Sequence, residues 1–220
     1  MPMRFRGVIF DLDGTLLDTI TDLANCMNTV LVRFGFPEHD VEAYKAFVGD
    51  GLEMLVRRAM PDSVHEDGTL HARCVEAMRE EYHRRRTETT APYPGIPELL
   101  DGLTARRIRM TVLSNKPDSP TKLLVAELLP HWRFDVVFGE SPATPRKPDP
   151  TGALLIARSL QIPPHELLYL GDTGIDMQTA TKAGMYAVGA LWGFRKADEL
   201  QDGGAQALVE KPQDLLSILA

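Results

Sequence analysis

The segment Asp11-Leu12-Asp13-Gly14-Thr15 carries two carboxylates two residues apart, directly after the apolar run Gly7-Val8-Ile9-Phe10. A short continuous apolar run with β-branched residues is typical of a buried parallel strand. At the end of a strand, this spacing can turn Asp11 and Asp13 toward one pocket, and Gly14 lets the backbone approach a ligand closely. Because an isolated Asp-x-Asp-Gly is more often a turn than a catalytic pair, the interpretation depends on what else reaches this edge.

Three further polar clusters stand at or just after the ends of later apolar runs. They are Ser114-Asn115-Lys116, Arg146-Lys147-Pro148-Asp149, and Gly171-Asp172 continuing to Asp176. Carboxylates that converge at one sheet edge repel one another strongly unless a cation lies among them, and ligation by oxygen alone suits Mg²⁺ with water and a substrate phosphate. We therefore expect a Mg²⁺ site whose ligands are Asp11, Asp13, Asp172 and Asp176.

Hydrogen-bond donors and positive charge are expected on the far side of this site, from Ser114, the backbone amides near Asn115, and Lys147. A carboxylate that attacks an anionic phosphoryl group needs such compensation, because phosphoryl transfer depends on positioning and charge stabilisation. Each cluster alone is explained as a turn, a cap or a solvated loop, but their order after successive strands favours one joint site. The predicted catalytic residues are Asp11, Asp13, Ser114 and Lys147, and Thr15 and Asn115 are predicted to contact substrate.

Apolar runs that stop abruptly at small or polar residues recur along the chain, at 110–113, 136–138, 167–170 and 186–191. Between them lie helical patterns, such as Ile96, Leu99, Leu100 and Leu103, with apolar residues three and four apart. Alternating strands and helices predict the α/β class with a parallel sheet.

The first strand-to-strand connection is much longer than the others. Asp11 and Ser114 are 103 residues apart, whereas 25 residues separate Ser114 from Gly139 and 33 separate Gly139 from Asp172. A βαβ unit needs only about 30 residues, so about 75 are surplus, and they carry amphipathic helical patterns. We predict a helical domain at 17–92 inserted after the first strand, and a core formed by 1–16 and 93–220.

Substrate choice is expected to depend on this inserted domain, because the core supplies only the phosphate chemistry. Gly49 and Gly51 would let backbone amides approach a small ligand. Lys45 or Arg57 could pair with a second anionic group of the substrate, although solvated helix positions explain both residues as well.

Composition excludes several other classes of protein. The chain has 220 residues, with 24 Lys plus Arg against 31 Asp plus Glu, so its net charge of −7 disfavours nucleic acid as a partner. The two cysteines, Cys26 and Cys74, form neither a disulfide framework nor a zinc motif. Without a signal-peptide pattern or an 18-residue apolar run, we expect a cytoplasmic protein with no membrane partner, either a monomer or a homodimer.

At these residues the chain resembles the haloacid dehalogenase superfamily of phosphohydrolases, in the subgroup with a helical cap after the first motif. Asp11 to Thr15, Ser114, Lys147, and Asp172 with Asp176 match its four motifs in order. The resemblance implies a Rossmann-like parallel sheet with an all-helical cap. Within the superfamily, the segments 48–51, 114–117 and 147–150 are most similar to those of phosphoglycolate phosphatases, and Asp13 argues against true dehalogenases, which lack this second aspartate.

The resemblance and the chemistry together imply a role for each residue. Asp11 would attack phosphorus and form an aspartyl-phosphate, and Asp13 would protonate the leaving oxygen and later deprotonate the attacking water. Mg²⁺ would be held by Asp11, the backbone carbonyl of Asp13, Asp172 and waters. Ser114 and Lys147 would bind phosphoryl oxygens, Thr15 would steady the Asp11 loop, and Asp176 would orient metal waters or Lys147.

Several activities remain compatible with these residues. The leading expectation is a phosphatase of a small phosphorylated metabolite, with 2-phosphoglycolate as the best single substrate. A phosphotransferase similar to β-phosphoglucomutase would return the phosphoryl group to a sugar, and a pyrophosphatase or a sugar-phosphate phosphatase would use the same residues. A silent regulatory binding module is the alternative outside enzymes, although such a module has no need for the second aspartate.

Overall fold

A computed structural model describes residues 5–219 of the chain. The described part divides into two compact units. The core unit contains the residues up to Leu17 and those from Pro92 onward, and the inserted unit spans Asp18–Ala91. The observed division lies one residue inside the predicted bounds of 17–92 at each end.

The core unit is built on a parallel sheet of six strands in the order β5-β4-β1-β6-β7-β8. Two shorter strands, β2 and β3, lie where the chain passes between the two units. The strands are β1 (Gly7–Phe10), β2 (Leu17–Asp18), β3 (Ala91–Pro92), β4 (Arg109–Pro117), β5 (Val136–Glu140), β6 (Leu167–Gly171), β7 (Tyr186–Ala190) and β8 (Ala207–Val209).

Helices cover both faces of the sheet, as the continuous apolar strands require. In β1, Val8 and Phe10 belong to one hydrophobic cluster and Ile9 belongs to the other, because successive side chains point to opposite faces. The core helices are α5 (Ile96–Ala105), α6 (Asp118–Leu128), α7 (Thr151–Leu160), α8 (Gly174–Lys182), α9 (Ala197–Asp202) and α10 (Leu215–Ile218).

The strand order places a topological switch point beside β1. The chain runs from β1 to β4 and β5 on one side and then continues with β6, β7 and β8 on the other. In open α/β sheets, ligands bind outside the carboxyl ends of the strands at such a point. The ends of β1, β4 and β6 therefore define where a site can form.

The predicted fold class, an α/β protein with a Rossmann-like parallel sheet and an inserted helical unit, is confirmed. β4 extends to Pro117, beyond the predicted end at residue 113, and β8, α9 and α10 were not predicted. Among residues 5–219, no helix combines the length and the apolar character that crossing a bilayer requires.

Four helices form the inserted unit, and their buried faces follow the predicted periodicity. Leu23, Met27, Val30 and Leu31 are buried on the first helix. Aspartates cap two of the helices, since Asp40 accepts from the amide of Ala43 and Asp67 accepts from the amide of Leu70. The helices are α1 (Ile20–Arg33), α2 (Val41–Phe47), α3 (Leu52–Ala59) and α4 (Gly68–Arg85).

Asp22 ties the start of α1 to the segment that follows α4. Its carboxylate is almost completely buried and accepts hydrogen bonds from the backbone amides and the hydroxyls of Thr89 and Thr90, at 2.6–3.1 Å. Burial would raise the pKa of Asp22, but these hydrogen bonds lower it below its ordinary value. The ionised carboxylate therefore joins the two ends of the inserted unit.

We predict that Asp22→Asn lowers the free energy of unfolding by about 1.5–3 kcal/mol at pH 7, because an amide nitrogen would face donors that now bond a carboxylate. The contribution of Asp22 is fully present above its unfolded pKa of about 3.9 and is lost as the pH falls through the lowered folded pKa. The difference between variant and wild type should therefore shrink below about pH 4. Urea unfolding across pH measures both effects, with the exposed Glu80→Gln on α4 as control. A difference that stays constant down to pH 2 would contradict this account.

Candidate active site

Three buried carboxylates meet at the switch point of the sheet. Asp11 follows β1 directly, Asp172 follows β6 directly, and Asp176 lies in the first turn of α8. One carboxylate oxygen from each lies within 4.8 Å of the other two. The sequence predicted this convergence from the strand ends alone.

Lys147 lies between two of these carboxylates. Its Nζ is 2.8 Å from Oδ1 of Asp11 and 2.6 Å from Oδ1 of Asp176, and its side chain is almost completely buried. Burial would lower the pKa of Lys147, but the negative charges of Asp11 and Asp176 raise it well above its ordinary value. The lysine is therefore a fixed ammonium ion within the carboxylate cluster.

The single lysine does not offset all the negative charge of the cluster. Burial raises the pKa of Asp11 well above its ordinary value, and the charge of Asp176 acts in the same direction. Burial likewise raises the pKa of Asp172 to about 7, again with a contribution from Asp176. A divalent cation between these oxygens would favour the ionised forms of both carboxyls.

Asp172 is held by two residues from elsewhere in the chain, and a third residue bonds the backbone of one of them. Its Oδ1 accepts from the hydroxyl of Thr15 at 3.1 Å, and its Oδ2 accepts from the amide of Phe194 at 2.8 Å. Trp192 donates from Nε1 to the carbonyl oxygen of Thr15 at 3.0 Å. We predicted a substrate contact for Thr15, but its hydroxyl is buried and bonds a carboxylate of the cluster.

Asp176 has protein donors on both of its oxygens. Tyr169 donates its hydroxyl to the same Oδ1 that receives Lys147, at 3.3 Å. Thr173 donates its amide and hydroxyl to Oδ2 in a capping box that starts α8. This arrangement fits the predicted role of orienting Lys147 more closely than direct ligation of a metal ion.

A bulge in β4 presents the second polar cluster. Leu113 pairs with Phe138 and Pro117 pairs with Glu140, so β4 contains two more residues than β5 between the same pairs. A β-bulge re-aims the side chains that it carries. Gly139 makes room for the bulge, because a Cβ at this position would lie 2.5 Å from the carbonyl oxygen of Lys116.

Asn115, which was predicted to contact substrate, bonds the backbone of Lys147. Its Oδ1 accepts from the Lys147 amide at 2.7 Å, and its Nδ2 donates to the Lys147 carbonyl at 3.2 Å. These two bonds fix the backbone that carries the central ammonium group. Ser114 is also buried, and its Oγ accepts from the amide of Lys116 at 3.2 Å.

Asp13 forms an ion pair with a second lysine beside the cluster. Its Oδ2 lies 2.9 Å from Nζ of Lys116, and its Oδ1 is buried with no hydrogen-bond partner among residues 5–219. The group of close carboxylates in the described chain does not include the Asp13 side chain. The Asp13 side chain, predicted as a metal ligand, therefore lies outside that group, and ligation by its backbone carbonyl stays an expectation from the resemblance.

The glycines predicted to contact substrate lie in the inserted unit, between α2 and α3. Both have positive φ, 125° for Gly49 and 87° for Gly51, so glycine is favoured at each position. Lys45 pairs with Glu42 on α2 at 2.9 Å, and Arg57 is an exposed residue of α3. The carboxylates and Lys147 belong to the core unit.

Comparison with known families agrees with this geometry. Residues 8–190 match the family model of the haloacid dehalogenase-like hydrolases, which covers most of the chain. The chain belongs to this family. The superfamily predicted from the four motifs is thus confirmed, as is the expectation of an enzyme.

Relatives of this hydrolase are named as phosphatases. It is 32% identical to a phosphoglycolate phosphatase of Nitrosospira multiformis, over 94% of this chain and 92% of the relative. It is also 32% identical to one of Chromobacterium violaceum, over 98% and 97% of the two chains. A crystal structure of a proposed phosphoglycolate phosphatase from Lactobacillus delbrueckii subsp. bulgaricus superimposes with a TM-score of 0.91 at 32% identity, covering 99% of this chain and 100% of that one.

Sequence reasoning assigned no role to Tyr169 or Thr173, and it expected Trp192 only in packing or in a loop near the site. Tyr169, Thr173 and Trp192 each bond a site residue or its backbone, but their partners are fixed only by the tertiary fold. Lys116 was visible within the Ser114-Asn115-Lys116 cluster but was not assigned a role. Its place in that strand-end cluster of polar residues was the available signal.

We predict that Gly193→Ala lowers hydrolysis of a generic aryl phosphate at least about 10-fold and destabilises the fold by about 1–3 kcal/mol, as overpacking does. A Cβ at residue 193 would lie 2.5 Å from Oδ2 of Asp172 and from the carbonyl oxygen of Gly14, so the carboxylate or its loop must move. Gly68→Ala on α4 is the matched control, because nothing lies within 4 Å of its Cβ position. Wild-type activity and stability in Gly193→Ala would show that this contact does not position Asp172.

Proposed function

We propose that the chain is a Mg²⁺-dependent phosphatase that hydrolyses a small phosphorylated metabolite through an aspartyl-phosphate on Asp11, with 2-phosphoglycolate as its substrate. The position of Asp11 is the observation that supports this reaction. Asp11 is buried at a strand end, 2.8 Å from the ammonium group of Lys147 and beside Asp172 and Asp176. The names of the relatives support the choice of substrate.

The carboxylate cluster fits a magnesium ion. Asp11 and Asp172 offer oxygen atoms in a buried setting that raises the pKa of each carboxyl, and Mg²⁺ takes oxygen ligands and keeps several waters. Asp11, Asp172 and the backbone carbonyl of Asp13 would hold the ion, and Asp176 would orient its waters or Lys147. When bound, the ion offsets the charge of the carboxylates and of the phosphoryl oxygens.

In the first step, a carboxylate oxygen of Asp11 attacks phosphorus. The new oxygen–phosphorus bond forms as the bond from phosphorus to the leaving oxygen breaks. Asp13, in its protonated form, gives its proton to that leaving oxygen. The product alcohol, which is glycolate when the substrate is 2-phosphoglycolate, then departs and leaves the phosphoryl group on Asp11.

In the second step, water attacks the same phosphorus atom. Asp13 now accepts a proton from the water, so that the two steps return it to its starting state. The bond between phosphorus and Asp11 breaks, which releases inorganic phosphate and regenerates the free carboxylate of Asp11. The buried Oδ1 of Asp13 is a suitable atom for this exchange, because it has no hydrogen-bond partner among the described residues.

Lys147 and Ser114 serve the phosphoryl group in both steps. The Lys147 ammonium is aligned by Asp11, Asp176 and the two bonds from Asn115 to its backbone, so it requires little reorganisation during the reaction. Ser114, in the bulge of β4, would supply a hydroxyl to the same phosphoryl group. Fixed positive charge of this kind is the main requirement of phosphoryl transfer.

We predict that the wild-type enzyme with Mg²⁺ releases inorganic phosphate from 2-phosphoglycolate faster than from glucose 1-phosphate, pyrophosphate or nucleotides. Asp11→Asn should abolish release from every substrate, because an amide cannot form the phosphoryl intermediate. Asp198→Asn, an exposed change on α9, is the control. Activity near wild type in Asp11→Asn would show that Asp11 is not the nucleophile. Formation of glucose 6-phosphate from glucose 1-phosphate would favour a phosphotransferase.

We predict that Asp13→Asn lowers steady-state turnover at least about 100-fold, the low end of general acid–base catalysis. With p-nitrophenyl phosphate, whose leaving group needs little protonation, the variant should still release a burst of about one p-nitrophenol per enzyme, since hydrolysis of the intermediate also requires a base. Rapid-mixing absorbance measures the burst and the steady state together. An unchanged steady-state rate would reject the acid–base role of Asp13.

A further inference from the structure

Lys116 is a second lysine at the edge of the carboxylate cluster. Its Nζ lies 2.9 Å from Oδ2 of Asp13, and only 8% of its side chain is exposed. Lys147, by contrast, pairs with Asp11 and Asp176. The two lysines therefore touch different carboxylates of the site.

The two lysines contact carboxylates that have different roles in the proposed reaction. Lys147 adjoins the attacking group, where the phosphoryl group must bind, whereas Lys116 adjoins Asp13, the group that exchanges a proton with the leaving oxygen. A cation beside Asp13 is consequently near the leaving group and not only near the phosphoryl group. This placement rests on the proposed function, which assigns the roles of Asp11 and Asp13.

The backbone holds Lys116 firmly in this position. The bulge in β4 contains Lys116, its amide bonds Oγ of Ser114, and its carbonyl oxygen accepts from the Thr121 hydroxyl at 3.2 Å. Gly139 on the neighbouring strand has no side chain, so the Lys116 carbonyl can lie close to it. A lysine fixed in this way loses less conformational freedom on binding an anion than one on a solvated helix face.

We propose that Lys116 is a specificity residue that binds a carboxylate on the leaving group of the substrate. In 2-phosphoglycolate, one methylene group separates the leaving oxygen from the carboxylate, so a cation in contact with Asp13 is within reach of that carboxylate. The core unit itself would then recognise the anionic alcohol. This differs from the expectation that Lys45 or Arg57 of the inserted unit performs this recognition.

The test compares 2-phosphoglycolate with 2-phosphoglycolamide, which has the same skeleton but a neutral amide in place of the carboxylate. The measured quantity is the ratio of kcat/KM for the two substrates in Mg²⁺. Any general effect of losing the partner of Asp13 acts on both substrates and cancels in this ratio. We expect wild type to prefer 2-phosphoglycolate, and Lys116→Met to reduce the preference about 10- to 100-fold, the size of a charge-assisted hydrogen bond.

Lys122→Met is the matched control, because Lys122 is an exposed residue of α6 that pairs with Asp118 at 2.6 Å. It should keep the wild-type ratio, and Lys116→Arg, which keeps the positive charge, should keep most of it. A ratio unchanged in Lys116→Met, or lost instead in Lys45→Met or Arg57→Met, would overturn the inference.

Wild type alone also tests the inference, even if Lys116→Met fails to fold. Equal kcat/KM for the carboxylate and the amide would overturn carboxylate recognition while leaving the phosphatase function in place. Failure of wild type to release phosphate from either compound and from p-nitrophenyl phosphate would instead overturn the proposed function, and the inference with it.

Discussion

Burying several carboxylates at one place is the constraint on which the site depends. Asp11, Asp172 and Asp176 share a small volume away from water, where ionised groups are costly unless they are paired and hydrogen-bonded. Lys147 offsets part of this charge by contacting two of the three. The charge that remains would favour a divalent cation among these carboxylates and, together with that cation, a phosphoryl group.

The parallel sheet makes this arrangement possible because it delivers distant parts of the chain to one edge. Asp11 and Asp172 follow adjacent strands, and the strand order places β1 between the two halves of the sheet. Hydrogen bonds then fix each group: Thr15 and Phe194 hold Asp172, Thr173 holds Asp176, and the Asn115 side chain holds the backbone of Lys147. Much of the polar sequence around the site thus holds the side chains and backbone of other site residues in place.

The sequence was sufficient to predict the fold class and the convergence of Asp11, Lys147, Asp172 and Asp176, because apolar runs locate strands and parallel strands share one carboxyl edge. It could not predict which donor each side chain would meet. Thr15 and Asn115 were expected to contact substrate, and the sequence did not indicate that their side chains also bond Asp172 and the Lys147 backbone. The sequence also did not predict the bulge in β4, because the bulge depends on the pairing with β5 and on the space at Gly139.

The central claim is that Asp11 carries the phosphoryl group during turnover, and chemical trapping tests it most directly. The enzyme would be mixed with Mg²⁺ and saturating 2-phosphoglycolate, quenched in acid within the first turnovers, and treated with borohydride, which reduces an acyl phosphate to an alcohol. Mass spectrometry of the peptide containing residue 11 should then find homoserine in place of Asp11. Phosphate release at the full rate with homoserine absent from residue 11, or present at another aspartate, would contradict the account.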